Sequence, residues 1–298
     1  MKKRIAVIGV PSSAGAHGAG VEKAPLSLRS AGLIDRLGSA GLDVIDFGDL
    51  PTVIYQPDHE HPREQNLKQV CLVLMDVAGL VDRAINEKAL PLVLGGDCTI
   101  TIGVLSGLAK HFENIGLMYF DGDLDLNTPA VSPSGMFDGM GLSHIIGVGS
   151  EALTHIGPRY PLVPEEKVVA FAYNPEAGWI DPYEHEALRR SSISRYPVST
   201  VTKSPAEAGR HAINHLSKLT EQVLVHFDVD AIDGCEFPAS PLPHKHGLSF
   251  RDSIEVLRVF TACPKLAGLV VTEFDPEADL EGTYARQLVG ALETSLAQ

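Results

Sequence analysis

Apolar runs recur along this chain, and most are apolar at every position instead of at alternate ones. "RIAVIG" (4–9), "LDVIDFG" (42–48), "LPLVLGG" (90–96), "IGLMYF" (115–120), "KVVAFAY" (167–173), "QVLVHFDVD" (222–230) and "LAGLVVTEF" (266–274) predict strands. Segments with helical spacing lie between them, at about 25–39, 65–87, 99–111, 182–190, 205–219, 249–261 and 283–297. Strands apolar on both faces, separated by helices, predict a mostly parallel central sheet covered on both sides. That is a three-layer α/β/α fold. No linker, repeat or low-complexity tract interrupts it, so residues 1–298 read as a single α/β domain.

Ligands of such sheets bind beyond the carboxyl ends of the strands, and the chemically active residues gather there. "PLVL" runs into "GGDC" (95–98), and "LMYF" into "DGDLD" (121–125). "VLVHFDVD" carries Asp228 and Asp230, and "GLVVTEFDP" ends in Glu273 and Asp275. Strand alternation places His226, Asp228 and Asp230 on one face. Asp121, Asp123 and Asp125 stand at alternate positions with no basic residue nearer in sequence than Lys110 or Arg159. Like charges so close raise one another's pKa unless a cation sits among them. Hard divalent metals held by carboxylates are the usual cation.

Composition narrows the field. The formal charge of −14 leaves no excess of Lys or Arg for phosphates, which argues against a nucleic-acid partner. Four cysteines without CxxC pairing suit a reduced, cytoplasmic protein better than a disulfide scaffold. The start "MKKRIAVIGVPSS" reads as a first strand and not as a signal peptide. No apolar run reaches the roughly 18 residues of a membrane span, so no membrane partner is expected. The glycine-rich "SAGAHGAG" (13–20) lacks nucleotide-binding spacing. "HEH" (59–61) and "PHKH" (243–246) read as surface loops, the latter also as a segment that steers an anion toward the crevice.

The stretches "IGVPSSAGAHGAGVEKAPLSLRSAGLIDRL" (8–37), "LGGDC" (94–98), "DGDLDLNTPAVSPSGMFDG" (121–139), "FDVDAID" (227–233) and "TEFDP" (272–276) resemble the ureohydrolase (arginase/agmatinase) family, and the arginases most within it. The resemblance implies two manganese ions, held by four aspartates and two histidines. They bridge a hydroxide that attacks a guanidinium carbon and releases urea. The aspartate positions correspond to Asp121, Asp125, Asp228 and Asp230, with Asp125 also orienting the hydroxide. A homo-oligomer, trimer or hexamer, is likewise expected from the resemblance.

Both histidine positions differ. The family's "GGDH" is "GGDC" here, and its "DAHxD" is "DGDLD", so Cys98 and Asp123 stand where ligands are expected. Thiolate and carboxylate both ligate divalent ions. The implied metal set is therefore Cys98, Asp121, Asp123, Asp125, Asp228 and Asp230. Two neutral imidazoles become two potential anions, which makes a bridging water harder to deprotonate. Cysteine also favours zinc or another softer ion over manganese. Cys98 reads equally as a small buried apolar side chain.

The resemblance places Asp138 where arginases carry a proton-shuttling histidine, and a hydrated carboxylate is a poor proton donor. His226 is the candidate to compensate, although a histidine within a strand also reads as a satisfied core residue. An N-hydroxylated guanidine, with its less basic leaving group, would need less help. The resemblance assigns Asn127, Ser132 and Ser134 to an amino-acid end of the substrate, and Asp181 and Glu184 of "DPYE" to its α-amino group. Glu273 would pair with the guanidinium, which accepts bidentate carboxylates. Two classes follow: a metal-dependent amidinohydrolase acting on a small guanidino or amidine compound such as arginine or N-hydroxyarginine, or a catalytically degenerate relative with a binding or regulatory role.

Overall fold

The computed structural model describes residues 3–176, 178 and 180–298. Among these, eight strands form one sheet: β1 Arg4–Gly9, β2 Asp43–Asp49, β3 Leu90–Leu94, β4 Ile115–Phe120, β5 Val168–Phe171, β6 Ser194–Tyr196, β7 Gln222–Asp228 and β8 Leu266–Thr272. Their order is β2-β1-β3-β8-β7-β4-β5-β6, and every pairing is parallel. The helices are α1 Ala24–Ser30, α2 Leu33–Ser39, α3 Leu67–Asn86, α4 Ile100–Leu108, α5 Gly141–Ile145, α6 Glu151–Thr154, α7 Pro182–Arg190, α8 Val198–Val201, α9 Pro205–Leu219, α10 Phe250–Thr261 and α11 Thr283–Leu296. No described helix is long and apolar enough to cross a membrane.

Alternation along the strands feeds two separate cores. Ile5 and Val7 of β1 point toward one, with Leu28 of α1, Leu37 of α2, Leu216 of α9, Leu257 of α10 and Leu292 of α11. Ala6 and Ile8 point toward the other, with Leu74 of α3, Leu105 of α4 and Leu142 of α5. The three-layer arrangement with a mostly parallel sheet, expected from doubly apolar strands, is observed, and every described strand pairing is parallel.

Two local departures have simple causes. The helix expected over 25–39 is two helices, because Gly32 adopts a left-handed φ of 87° and ends the first. β6 is a three-residue edge strand, "SRY", that pairs only with β5. It is too short to show a period.

The strand order sets up the site. β3, β8, β7 and β4 are consecutive neighbours at the centre of the sheet. Their carboxyl ends carry Cys98, Glu273, Asp228 with Asp230, and Asp121 with Asp123. The loops there are stitched together by backbone bonds. Asp97 N donates to Ser12 O (3.2 Å), and Glu273 N donates to Gly96 O (3.0 Å). The fit is close enough to require glycine at 96, where an added Cβ would lie 1.6 Å from Ser12 O.

Gly96→Ala should therefore force apart the loops after β1 and β3, costing about 1–3 kcal/mol as overpacking does. Gly18→Ala, where a Cβ meets no described atom within 4 Å, serves as the control. Urea midpoints compare the two. Equal midpoints would show that the approach at Gly96 does not constrain the fold.

Candidate metal centre

Backbone geometry presents the acids to one space. Asp121 leaves β4 with its N–H on Phe171 O (3.0 Å), and its own Oδ1 accepts from Asp123 N (2.6 Å). Gly122 N donates to Asp230 Oδ1 (3.1 Å), which ties the end of β4 to the turn after β7. Asp230 N in turn donates to Asp228 Oδ1 (2.8 Å). Asp125 and Glu273 hold φ of 51° and 59°, a left-handed backbone that costs a non-glycine residue about 1–3 kcal/mol. Such strain gathers at functional sites.

Two histidines enter the acid cluster. His226, wholly buried on β7, stacks on Tyr119 with ring centroids 4.2 Å apart. Its Nδ1 lies 2.7 Å from Thr101 Oγ1, while Nε2 lies 3.3 Å from Asp121 Oδ2 and 3.7 Å from Cys98 Sγ. The Cys98 thiol donates to Asp228 Oδ2 (2.7 Å), which also accepts from Thr272 Oγ1 (3.1 Å). His244 is 1% exposed, and its Nε2 lies 3.2 Å from both Asp123 Oδ2 and Asp230 Oδ2. Potential ligand atoms thus fall into three groups, each spanning no more than 4.8 Å: Cys98, Asp121, His226 and Asp228; Asp123, Asp230 and His244; Cys98, Asp138 and Glu273.

The electrostatics follow from burial. Loss of water raises Asp121, Asp125, Asp138, Asp228 and Glu273 well above the usual carboxylate range, and their mutual repulsion adds to it. Burial, with the charge of Asp228, also holds the Cys98 thiol protonated. Burial lowers His226 to about 3, so its imidazole is neutral. For His244 burial works in the same direction, but the charge of Asp230 and the hydrogen bonds to Asp123 and Asp230 overcome it and raise the ring to about 11. Neither Lys110 nor Arg159 contributes, because Lys110 lies 3.6 Å from Asp82 and Arg159 donates to the carbonyls of Ala109, Phe112 and Glu113.

Of the residues expected at the site, Cys98, Asp121, Asp123, Asp228 and Asp230 fall into the two histidine-containing groups, and Asp138 and Glu273 join Cys98. Asp125 is in none of the three, and its Oδ2 accepts from Tyr119 OH. Asn127 Oδ1 is buried with no described hydrogen-bond partner. Ser132 and Ser134 accept from Gly135 N (3.0 Å) and Met136 N (3.2 Å), shaping their own loop. Asp181 and Glu184 form the capping box of α7, and Glu184 Oε1 also accepts from Leu126 N (3.0 Å).

His244, Thr101, Thr272 and Tyr119 were not singled out by sequence. "PHKH" does not lie wholly at the surface, since its first histidine is buried among the acids while Lys245 and His246 are exposed. No local pattern marks these four.

The donors suit divalent cations. Carboxylate, imidazole and thiol are metal ligands. Glu273 Oε1 and Asp123 Oδ1 are buried acceptors without a described hydrogen-bond partner, a rare condition that positive charge relieves.

Comparison with known proteins agrees with this fold. The Arginase family model matches residues 3–295. The chain is similar to the arginase of Brevibacillus brevis, at 32% identity over 98% of this chain and 97% of that one. The solved arginase of Bacillus caldovelox superposes with a TM-score of 0.93 at 31% identity, covering 99% of each chain. That of Bacillus cereus gives 0.90 at 32%, covering 100% of this chain and 99% of its own.

Burial raises Glu184 from an ordinary 4.5 to about 7. A carboxyl whose folded pKa is raised adds stability below its unfolded pKa and loses it as pH rises through the folded one. The metal-free protein should therefore lose thermal stability between about pH 4.5 and 7, and Glu184→Gln should flatten part of that fall. Thermal midpoints of chelator-treated protein across this range test it. Parallel curves for the two proteins would show that Glu184 does not titrate there.

Proposed function

The chain belongs to the arginase family, and we propose on that footing that it is a metal-dependent amidinohydrolase cleaving the guanidino group of arginine or a related compound such as N-hydroxyarginine. The observation that carries this reading is Glu273. Its carboxylate is 6% exposed, held by a strained backbone beside Cys98 and Asp138, with Oε1 unpaired among the described residues. A planar cation that offers paired N–H donors satisfies such an acceptor.

Bound divalent ions would supply a water of lowered pKa and an electrostatic clamp. Ligands to them come from Cys98, Asp121, Asp123, Asp228 and Asp230, with Asp125 oriented by Tyr119 at the edge of the set. Manganese is the family's metal, and the thiol of Cys98 favours zinc or another softer ion.

Asp138 handles the leaving group's proton. Desolvation first, and the charge of Asp97 second, push its carboxyl well above the usual carboxylate range. Its Oδ1 accepts from Cys98 N (2.9 Å), which leaves Oδ2 as the oxygen available to exchange a proton. Asp138 is half-buried, and this desolvation lessens the obstacle that a fully hydrated carboxylate would present. Asn127, with an unpaired buried Oδ1, serves the amino-acid end of the substrate, and Ser132 and Ser134 shape the same loop. Glu184 and Asp181 support that region through the α7 cap. We read the protein as cytoplasmic from its four cysteines without CxxC pairing, and as homo-oligomeric from its family resemblance.

Urea or amine release from arginine, N-hydroxyarginine, agmatine and formimino compounds, measured after loading with manganese or zinc, tests the activity. Asp138→Asn should lower kcat by about 10²- to 10⁴-fold, the usual loss with a general acid. Glu273→Gln should lower kcat/KM with metal content unchanged. Asp121→Asn should lose metal and activity together. A fully metal-loaded protein that hydrolyses none of these would favour the degenerate, ligand-binding relative.

A further inference from the structure

We propose that the metal centre is two chemically unequal sites built on relocated histidines: a sulfur-bearing site from Cys98, Asp121, His226 and Asp228, and a sulfur-free site from Asp123, Asp230 and His244. The proposal rests on the metal dependence argued above, but not on the substrate. Positions 98 and 123, where the family motif has histidine, are here Cys and Asp. Each has a histidine from another element beside it.

Distances between donor atoms support the assignment. Metal bonds of about 2.0–2.1 Å to nitrogen or oxygen and about 2.3 Å to sulfur give coordination-polyhedron edges of about 3.0–3.6 Å. His244 Nε2 lies 3.2 Å from the oxygens of both Asp123 and Asp230. His226 Nε2 lies 3.3 Å from Asp121 Oδ2 and 3.7 Å from Cys98 Sγ. The Cys98–Asp228 edge, 2.7 Å, is shorter, and it is a thiol hydrogen bond whose proton an ion would displace.

The surrounding residues point His226 the right way. In the tautomer whose Nδ1–H donates to Thr101 Oγ1, 2.7 Å away, the Nε2 lone pair faces Asp121 and Cys98. Ligating histidines are commonly held by such a bond through their other nitrogen. The stack on Tyr119 fixes the ring plane. Glu273, grouped with Cys98, and Asp123, grouped with His244, each bury a carboxylate oxygen that has no hydrogen-bond partner among the described residues, so this is more than a cluster of acids. Thiolate with imidazole selects a borderline ion such as zinc, cobalt or ferrous iron, whereas two carboxylates and one imidazole suit manganese. The protein should therefore load with two different metals.

Cobalt(II) titration of the metal-free protein reads the two sites without turnover. Two equivalents should bind, and one alone should bring a near-ultraviolet thiolate-to-cobalt charge-transfer band. Excess manganese should displace only the band-less equivalent. Cys98→Ser should abolish the band. His226→Gln should weaken that equivalent by at least about 10- to 100-fold, a loss seen even on removing outer-shell partners. His244→Gln should remove the other equivalent and leave the band intact. Each variant keeps the site it does not touch, so retention of one equivalent shows that it folds. The wild-type spectrum decides alone if a variant does not fold: no cobalt bound, or two equivalents without a thiolate band, overturns the proposal. So does His244→Gln with both equivalents unchanged. A protein with both signatures that hydrolyses nothing would overturn the proposed function and leave this assignment standing. Urea release with a silent Cys98 would do the reverse.

Discussion

Negative charge buried at one edge of one sheet governs the rest of this molecule. Asp97, Asp121, Asp125, Asp228, Asp230 and Glu273 all lie below a tenth exposure, and none has a lysine or arginine partner among its described ion pairs. An unpaired buried carboxylate is too costly to persist ionised, so each must hold a proton, meet a cation or gather donors. The structure uses all three. Burial keeps protons on several acids, His244 stands between Asp123 and Asp230, and backbone N–H groups serve Asp97, Asp121, Asp228 and Asp230.

The fold makes that concentration mechanically feasible. Parallel strands turn all their carboxyl ends the same way, and the order β3-β8-β7-β4 puts the four acid-bearing ends side by side. Gly96 allows backbone to pass against Ser12, and the cap of α7 reaches across to Leu126 through Glu184. Asp97, wholly buried, accepts from Gly15 N and Thr99 N and so locks the loop after β1 to the loop that bears Cys98. Rigid walls of this kind let Asp125 and Glu273 hold an unfavourable backbone.

Periodicity made most of this legible. Doubly apolar runs gave the sheet, and the acids at their ends gave the crevice, because position along a parallel strand fixes which end a residue occupies. Gly32 splitting one helix and the three-residue β6 escaped, since neither disturbs a period long enough to read. His226 was visible as a strand residue on the face of Asp228, yet its partner Thr101 was not, because that contact joins residues 125 apart. His244 was the larger omission. Its place depends on a loop that folds back on itself: Gly234 N donates to His244 O (2.6 Å), and Ile232 bridges Leu248. Nothing local in "PHKH" encodes that closure. The acids of "DPYE" were legible as carboxylates but not as a capping box that also supports the neighbouring loop.

The same groups that make the site acidic also set the terms on which it accepts ions. A cation entering beside Cys98 must displace the thiol proton shared with Asp228 and whatever protons burial has placed on Asp121 and Asp228. One entering beside His244 must displace the ring proton that Asp123 and Asp230 stabilise. Ligand deprotonation makes metal affinity pH-dependent, and here burial raises Cys98, Asp121, Asp123 and Asp228 above their usual ranges while it lowers His226 and keeps that imidazole neutral. His226 therefore matters twice over. As a ligand it would need no deprotonation, and it adds no charge to a space already crowded with it. A carboxylate at the same point would have deepened the repulsion that a bound cation would relieve.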